Sequence, residues 1–200
     1  MTDSFKNILA HIAPTIQSWG FKGSGQHYRK LLEHCVLVIH FQKSSGGDQF
    51  YVNLGMQPLF VPTEGGTAPN PKTIKEYECI FRDRVDPPDG MSGWPYTMDA
   101  SMLEFFEAQL AKGYQEYLVP LVIIPGPITD VTVQDFDGQS GHPLLGTGHA
   151  RNFLHFSRIA LATDQREKAI AFAQAGIERC PEKASGLRVS LEVVLTEAGE

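Results

Sequence analysis

Between His34 and Leu54 the apolar residues fall on alternate positions, first the odd ones (Cys35, Leu37, Ile39, Phe41) and then the even ones (Phe50, Val52, Leu54). A period of two is the mark of a strand with one buried face. Parity switches across Ser44-Ser45-Gly46-Gly47-Asp48, which is turn chemistry, so the segment reads as an antiparallel hairpin. A slip of one residue would carry every apolar side chain to the wrong face, which fixes the register with Phe41 opposite Val52 and Ile39 opposite Leu54. The same register sets His40 beside Asn53 and Gln42 beside Tyr51 on a second face that is polar and aromatic.

A hairpin alone buries too little, and the flanking sequence supplies the cover. Phe5, Ile8, Leu9, Ile12 and Ile16 recur at helical spacing within Ser4 to Ser18, with Ser4 able to cap the start. Gly20, Gly23 and Gly25 then turn the chain into the sheet. They follow a helix and precede a strand, the reverse of a phosphate loop. After a long irregular connection, Pro58 to Pro71, the segment Tyr77 to Val85 alternates again, with Cys79, Phe81 and Val85 on one face and Glu78, Ile80, Arg82 and Arg84 on the other. A helix is expected from Met102 to Leu118, with Ser101 and Glu104 at capping-box spacing, and a short strand around Ile128 to Gln134. The last fifty residues change character: Ala150 to Ala162, Gln165 to Cys180 and Ala184 to Ala198 read as helices, with Asp164 and Glu167 capping the second and Pro181 stopping it. Their pattern is similar to the second half of one tetratricopeptide repeat, and a single such unit does not stand alone. The expected fold is therefore α+β, a mostly antiparallel sheet of three to five strands covered by helices on one face, with residues 1–148 as the α+β domain and 149–200 as a C-terminal helical extension packed on it.

Composition narrows the function classes. With 17 basic and 23 acidic residues the net charge is −6, and no basic run offsets it, so neither nucleic acid nor a membrane surface is an expected partner. The N-terminal segment lacks the basic start and continuous apolar core of a secretory signal, and nothing approaches the roughly 18 apolar residues of a membrane span. Three widely spaced cysteines, Cys35, Cys79 and Cys180, fit reduced thiols in a cytoplasm better than a disulfide framework.

If the three strands adjoin, His40, Gln42, Tyr51, Asn53, Arg82 and Arg84 share one sheet face. Arginine forks match planar anions, and a histidine titrates near neutral pH, so the set suits a carboxylate or phosphate; the alternative is a solvated or partner-facing surface with its arginines paired to Glu78 or Asp83. His142, His149 and His155 have no metal-motif spacing, and neither metal nor cofactor is expected. Cys35 and Cys79 lie on apolar strand faces where thiols are inert. Ser140 in GQSGHP lacks the context of a nucleophile elbow. Trp94, Tyr96 and Phe60, in proline-rich loops, are candidate exposed aromatics for a partner or plugs for the sheet ends.

The ordered elements of the first hundred residues, GFKGSG, YRKL, VLVIHFQKS, FYVNLG and CIFRDR, resemble a bacterial family, the domain of unknown function 4304 family. The resemblance covers about half the chain and carries no activity with it. Small α+β families of this kind are similar to the immunity proteins of toxin systems. The expectation is a cytoplasmic bacterial protein that binds a protein partner, as an immunity or regulatory factor, through the polar face and the loops Pro58 to Pro71 and Pro87 to Pro95. The competing expectation is a small hydrolase or transferase, with Arg82 and Arg84 holding an anionic substrate and His40 as general base.

Overall fold

A computed structural model describes residues 2–136, 142, 144–146 and 148–200. Contacts group the chain into two compact units, Met1–Pro120 and Leu121–Glu200.

The first unit is built on a mostly antiparallel sheet, confirming the α+β class. Strands β1 (Lys22–Ser24), β2 (His27–Leu31), β3 (Cys35–Lys43), β4 (Gln49–Pro58) and β5 (Phe81–Val85) follow one another in spatial as in chain order, and a two-residue β6 (Trp94–Pro95) pairs with the start of β4. The hairpin register is the expected one: Phe41 faces Val52, Ile39 faces Leu54, His40 faces Asn53 and Gln42 faces Tyr51. β5 lies against β4 with Arg84 opposite Asn53 and Arg82 opposite Gly55, so the strands carrying the candidate site do adjoin. β1 and β2 form a second, tighter hairpin in which a Cβ on Gly23 would sit 2.2 Å from the His27 carbonyl, at φ 136°. The glycines shape this turn.

One sheet face is the core. Helix α1 (Thr2–Ser18) buries Phe5, Ile8, Leu9, Ile12 and Ile16, and Phe5 meets Phe50 of β4 at 5.2 Å between ring centroids. Helix α2 (Ala100–Lys112) brings Phe106 edge-on to Phe50 and against Trp94. Its cap is Asp99, whose side chain accepts from the Met102 backbone N–H; Ser101 lies inside the helix. A carboxylate two positions earlier can reach the free amides of the first turn, and this displaces the expected serine cap. The helix runs on as a π-turn over Gly113–Leu118 and ends with α3 (Val119–Leu121). Gly113 is the point of closest approach, since a Cβ there would come within 2.9 Å of Leu54. Trp94 is fully buried and its indole N–H donates to the Val85 carbonyl, so it closes the sheet end and is not an exposed aromatic.

The other face is not left bare along its whole length. Between β4 and β5 the chain crosses back over it as a strap, residues 59–80, and buries Ile74 and Cys79 on Val36 and Val38, with Leu59 alongside. The strap ends in a 3-10 turn, Glu76–Glu78, and this overturns the expected strand start at Tyr77: the alternation begins only at Phe81, and Cys79 sits on the strap side instead of with Phe81 and Val85. Parity cannot be carried through a helical turn, which is why period-two counting misassigned the thiol.

In the second unit, α4 (Pro127–Asp130) and a 3-10 turn at Val133–Phe136 replace the strand expected around Ile128 to Gln134. Thr129 Oγ1 accepts from the Gly126 backbone N–H at 2.7 Å, a local bond that competes with extended structure. Helices α5 (Ala150–Ala162), α6 (Arg166–Glu178) and α7 (Ser185–Gly199) pack in succession around Leu154, Ala169, Ala173, Leu191 and Val194. The cap position of α6 is Gln165 and not the expected Asp164, which adopts φ 58° in the connecting turn. Phe136, Phe153, Phe156 and Phe172 form an aromatic cluster in the same unit. Among the described residues, no helix is long and apolar enough to cross a membrane.

Candidate functional site

Two features position the site: the strap covers one end of the polar face, and β5 stands at the sheet edge. The strap is anchored by one buried and one half-buried polar side chain. Gln57, fully buried, donates to the carbonyls of Pro58 and Val61 at 2.9 and 3.0 Å and accepts from the Ile80 N–H at 3.1 Å. Arg29 on β2 donates to the Ile74 and Thr73 carbonyls at 2.7 and 3.1 Å. Directly beneath the crossing lies Gly55, where a Cβ would stand 2.9 Å from Cys79 Sγ and 3.3 Å from Glu76 Cα. Only glycine lets the two backbones approach this closely.

The crossing delivers Glu76 to the sheet. Glu76 is 7% exposed, and one oxygen of its carboxylate lies 2.8 Å from His40 Nδ1. His40 in turn stacks on His27 of β2, the rings parallel at 4.2 Å, as their direct pairing in the β2–β3 ladder requires. Burial pushes the His27 imidazole down to about 4, helped by the charges of His40, Lys75 and Arg29, so it is neutral at pH 7. Burial alone would raise Glu76; the close contact and charge of His40, with its own backbone and His27, outweigh it and leave the carboxyl below its ordinary value. His27 Nδ1, His40 Nδ1 and Glu76 Oε2 are all buried, and none of them makes a hydrogen bond of good geometry.

Beside this cluster, where the strap ends, the face opens into a groove of about 460 Å³ lined by Gln42, Asn53, Glu76, Tyr77, Arg82, Asp83 and Arg84. Arg84 Nε donates to Asn53 Oδ1 at 3.0 Å, and Asn53 Nδ2 donates to Gln42 Oε1 at 2.9 Å. The Arg84 guanidinium lies over the Tyr51 ring, 4.5 Å from its centroid. These contacts hold the guanidinium in place at the groove wall. Arg82 makes one long contact, 3.4 Å, to the Tyr77 carbonyl. Among the described residues neither arginine has a carboxylate within ion-pair distance, so pairing with Glu78 or Asp83 does not occur; Glu78 instead accepts from the Lys75 N–H.

Of the six residues expected on this face, Gln42, Asn53, Arg82 and Arg84 line the groove together, and Tyr51 supports Arg84 from below. His40 shares the face but is turned into the buried cluster. Sequence reasoning missed Glu76 and His27. His27 had a signal, since a strand entering at His27–Leu31 and paired with β3 would bring the histidines together; Glu76 had none, because its place follows from a strap that alternation does not describe. Tyr77 is exposed at the rim, as is Phe60 on the strap. His149 occupies the cap position of α5 without a capping hydrogen bond, and His155 is buried within that helix. Ser140 lies outside the described residues. Among those described, no group of three or more histidine, cysteine or carboxylate side chains is arranged to hold a metal ion.

Chemically, the groove offers two cations, two hydrogen-bonded amides and two carboxylates, the buried Glu76 and the more exposed Asp83. A family model described as domain of unknown function (DUF4304) matches residues 12–122, which contain the sheet, the strap and the groove. No curated protein and no solved structure matches the chain.

Proposed function

The chain belongs to the domain of unknown function 4304 family, and we propose that it acts by binding a protein partner through the groove beside β5. The observation that carries this is the pair Arg82 and Arg84, both exposed, on one face of an edge strand, and free of carboxylate partners among the described residues. Surface arginines with nothing to neutralise them are common singly; two that flank an amide network, one of them locked over a tyrosine, are an anion-recognising array. The buried thiols suit a reducing compartment, and the proposal extends to a bacterial cytoplasmic factor of the immunity or regulatory kind.

A second proposal, catalysis on an anionic substrate, draws on one specific observation: His40 has a carboxylate at 2.8 Å, the arrangement of a base and its orienting acid. The groove is open and His40 is turned from it, which favours binding.

Capture of the tagged chain from native lysate, with wild type compared to an R82A/R84A variant of equal thermal stability, tests the binding proposal. A stoichiometric protein that is lost with the variant, and that binds the purified wild type, supports it. Equal capture by both chains overturns it. Turnover of a phosphate or carboxylate ester abolished by H40A at unchanged stability would move the assignment to catalysis.

A further inference from the structure

Granted that the groove binds a protein partner through its arginines, we infer that this binding is gated by a proton: charging His40 cancels the Glu76 carboxylate at the groove wall and turns a neutral groove into a cationic one. The charged residues lining the groove are Arg82 and Arg84 against Glu76 and Asp83, so with all of them ionised the wall has no net charge. The arginines that recognise an anion are thus opposed by carboxylates in the same groove. Glu76 has a titratable neighbour in contact, His40 Nδ1 at 2.8 Å, and that ring is turned into the buried cluster, stacked on His27. A proton on His40 compensates the carboxylate without occupying the groove and leaves the wall with one net positive charge.

The surroundings of the pair leave His40 as the place for that proton. Imidazole is the side chain whose charge ordinarily changes between pH 5 and 8. His27, the other ring of the stack, is held down at about 4, by burial first and then by His40, Lys75 and Arg29, so it does not compete in mild acid. From β2, Arg29 is bonded to the strap carbonyls; from the strap, Lys75 and Glu78 flank Glu76; from β5, Arg82 and Asp83 complete the charged surroundings. Lysine and arginine keep their charge between pH 7.5 and 5.5. Burial raises the Asp83 carboxyl, and its protonation would act with the same sign. By linkage, an anion that gains from the charge on His40 favours the protonated ring in return, so binding takes up a proton and affinity rises as pH falls.

Fluorescence anisotropy with the full chain and a labelled tetra-aspartate peptide, at pH 7.5 and 5.5 in about 0.15 M salt to screen distant charges, tests this. The peptide stays ionised across that range. Wild type should bind about threefold or more tighter at pH 5.5. Glu76→Gln should bind tightly at both pH values, His40→Gln weakly at both, and R82A/R84A at neither. Calorimetry of wild type at pH 6.5, in two buffers of unequal ionisation enthalpy, should show uptake of part of a proton on binding, a reading that needs no variant to fold. Equal affinity at the two pH values, or no proton uptake, overturns the gate. A pH dependence that survives in His40→Gln or Glu76→Gln also overturns it and assigns the proton to another group, Asp83 first. No binding by wild type at either pH overturns the gate, while a captured partner lost with R82A/R84A would still sustain the groove; peptide binding and capture that R82A/R84A both leave unchanged bring down the gate and the groove together.

Discussion

Acid should destabilise the first unit through His27, and the amount can be worked from its surroundings. The imidazole is held at about 4 against an ordinary 6.5, first by burial and then by His40, Lys75 and Arg29, with Glu76 opposing. Above pH 6.5 both folded and unfolded chains carry it neutral, and nothing is lost. As pH falls from 6.5 toward 4 the unfolded chain takes up a proton that the folded chain refuses, so stability drops through that window and levels off below it. The full displacement corresponds to about 3.4 kcal/mol, of which about 2 would be expressed by pH 5; partial exposure of the ring to solvent reduces this to about 1 kcal/mol at pH 5. Glu76, held below its ordinary 4.5, contributes stability that is also lost in acid, but only beneath pH 4.5, so measurements from pH 7 to 5 isolate the histidine. The perturbation is His27→Phe, which keeps an aromatic ring against His40 and removes the titration. Trp19 and Trp94 both lie in the first unit, so urea unfolding followed by tryptophan fluorescence reports that unit alone. Wild type should lose about 1 kcal/mol more than His27→Phe between pH 7 and pH 5. Parallel pH dependences, or a steeper loss in the variant, would refute the account of a buried neutral imidazole.

Three further outcomes follow from the strap. Gly55→Ala forces a methyl to within 2.9 Å of Cys79 Sγ and 3.3 Å of Glu76 Cα, and urea denaturation should show a loss of about 1–3 kcal/mol. In the native wild type Cys35 and Cys79 should resist a thiol reagent at pH 8, because burial pushes the first up to about 11 and the second further; Gly55→Ala, by lifting the strap, should speed labelling of Cys79 while leaving Cys35 slow, read by mass spectrometry of the labelled peptides. Gln57→Leu strands the Pro58, Val61 and Pro62 carbonyls and the Ile80 N–H that the buried amide satisfies and should cost about 2–4 kcal/mol, again by urea titration; a loss below 0.5 kcal/mol would mean that Gln57 does not anchor the strap.

What the amino-acid order settled by itself was whatever depends on local periodicity. The β3–β4 register followed from parity on either side of one turn, because the side-chain period of a strand is two and one face had to be buried. Helix α1 followed from the spacing of Phe5, Ile8, Leu9, Ile12 and Ile16, and so did the grouping of His40, Gln42, Tyr51, Asn53, Arg82 and Arg84 once β5 was placed next to β4. Tertiary structure decided what no period encodes. The strap over Gly55 is held by a buried glutamine that accepts from the Ile80 N–H, an arginine reaching two carbonyls and one missing Cβ, contacts between residues far apart in the chain. It placed Glu76 on His40, turned that histidine away from the groove and moved Cys79 to the opposite face from Phe81. A polar sheet face was thereby divided into a covered, titratable cluster and an open arginine groove, a division set by where a non-repeating loop packs and therefore invisible to any pattern within it.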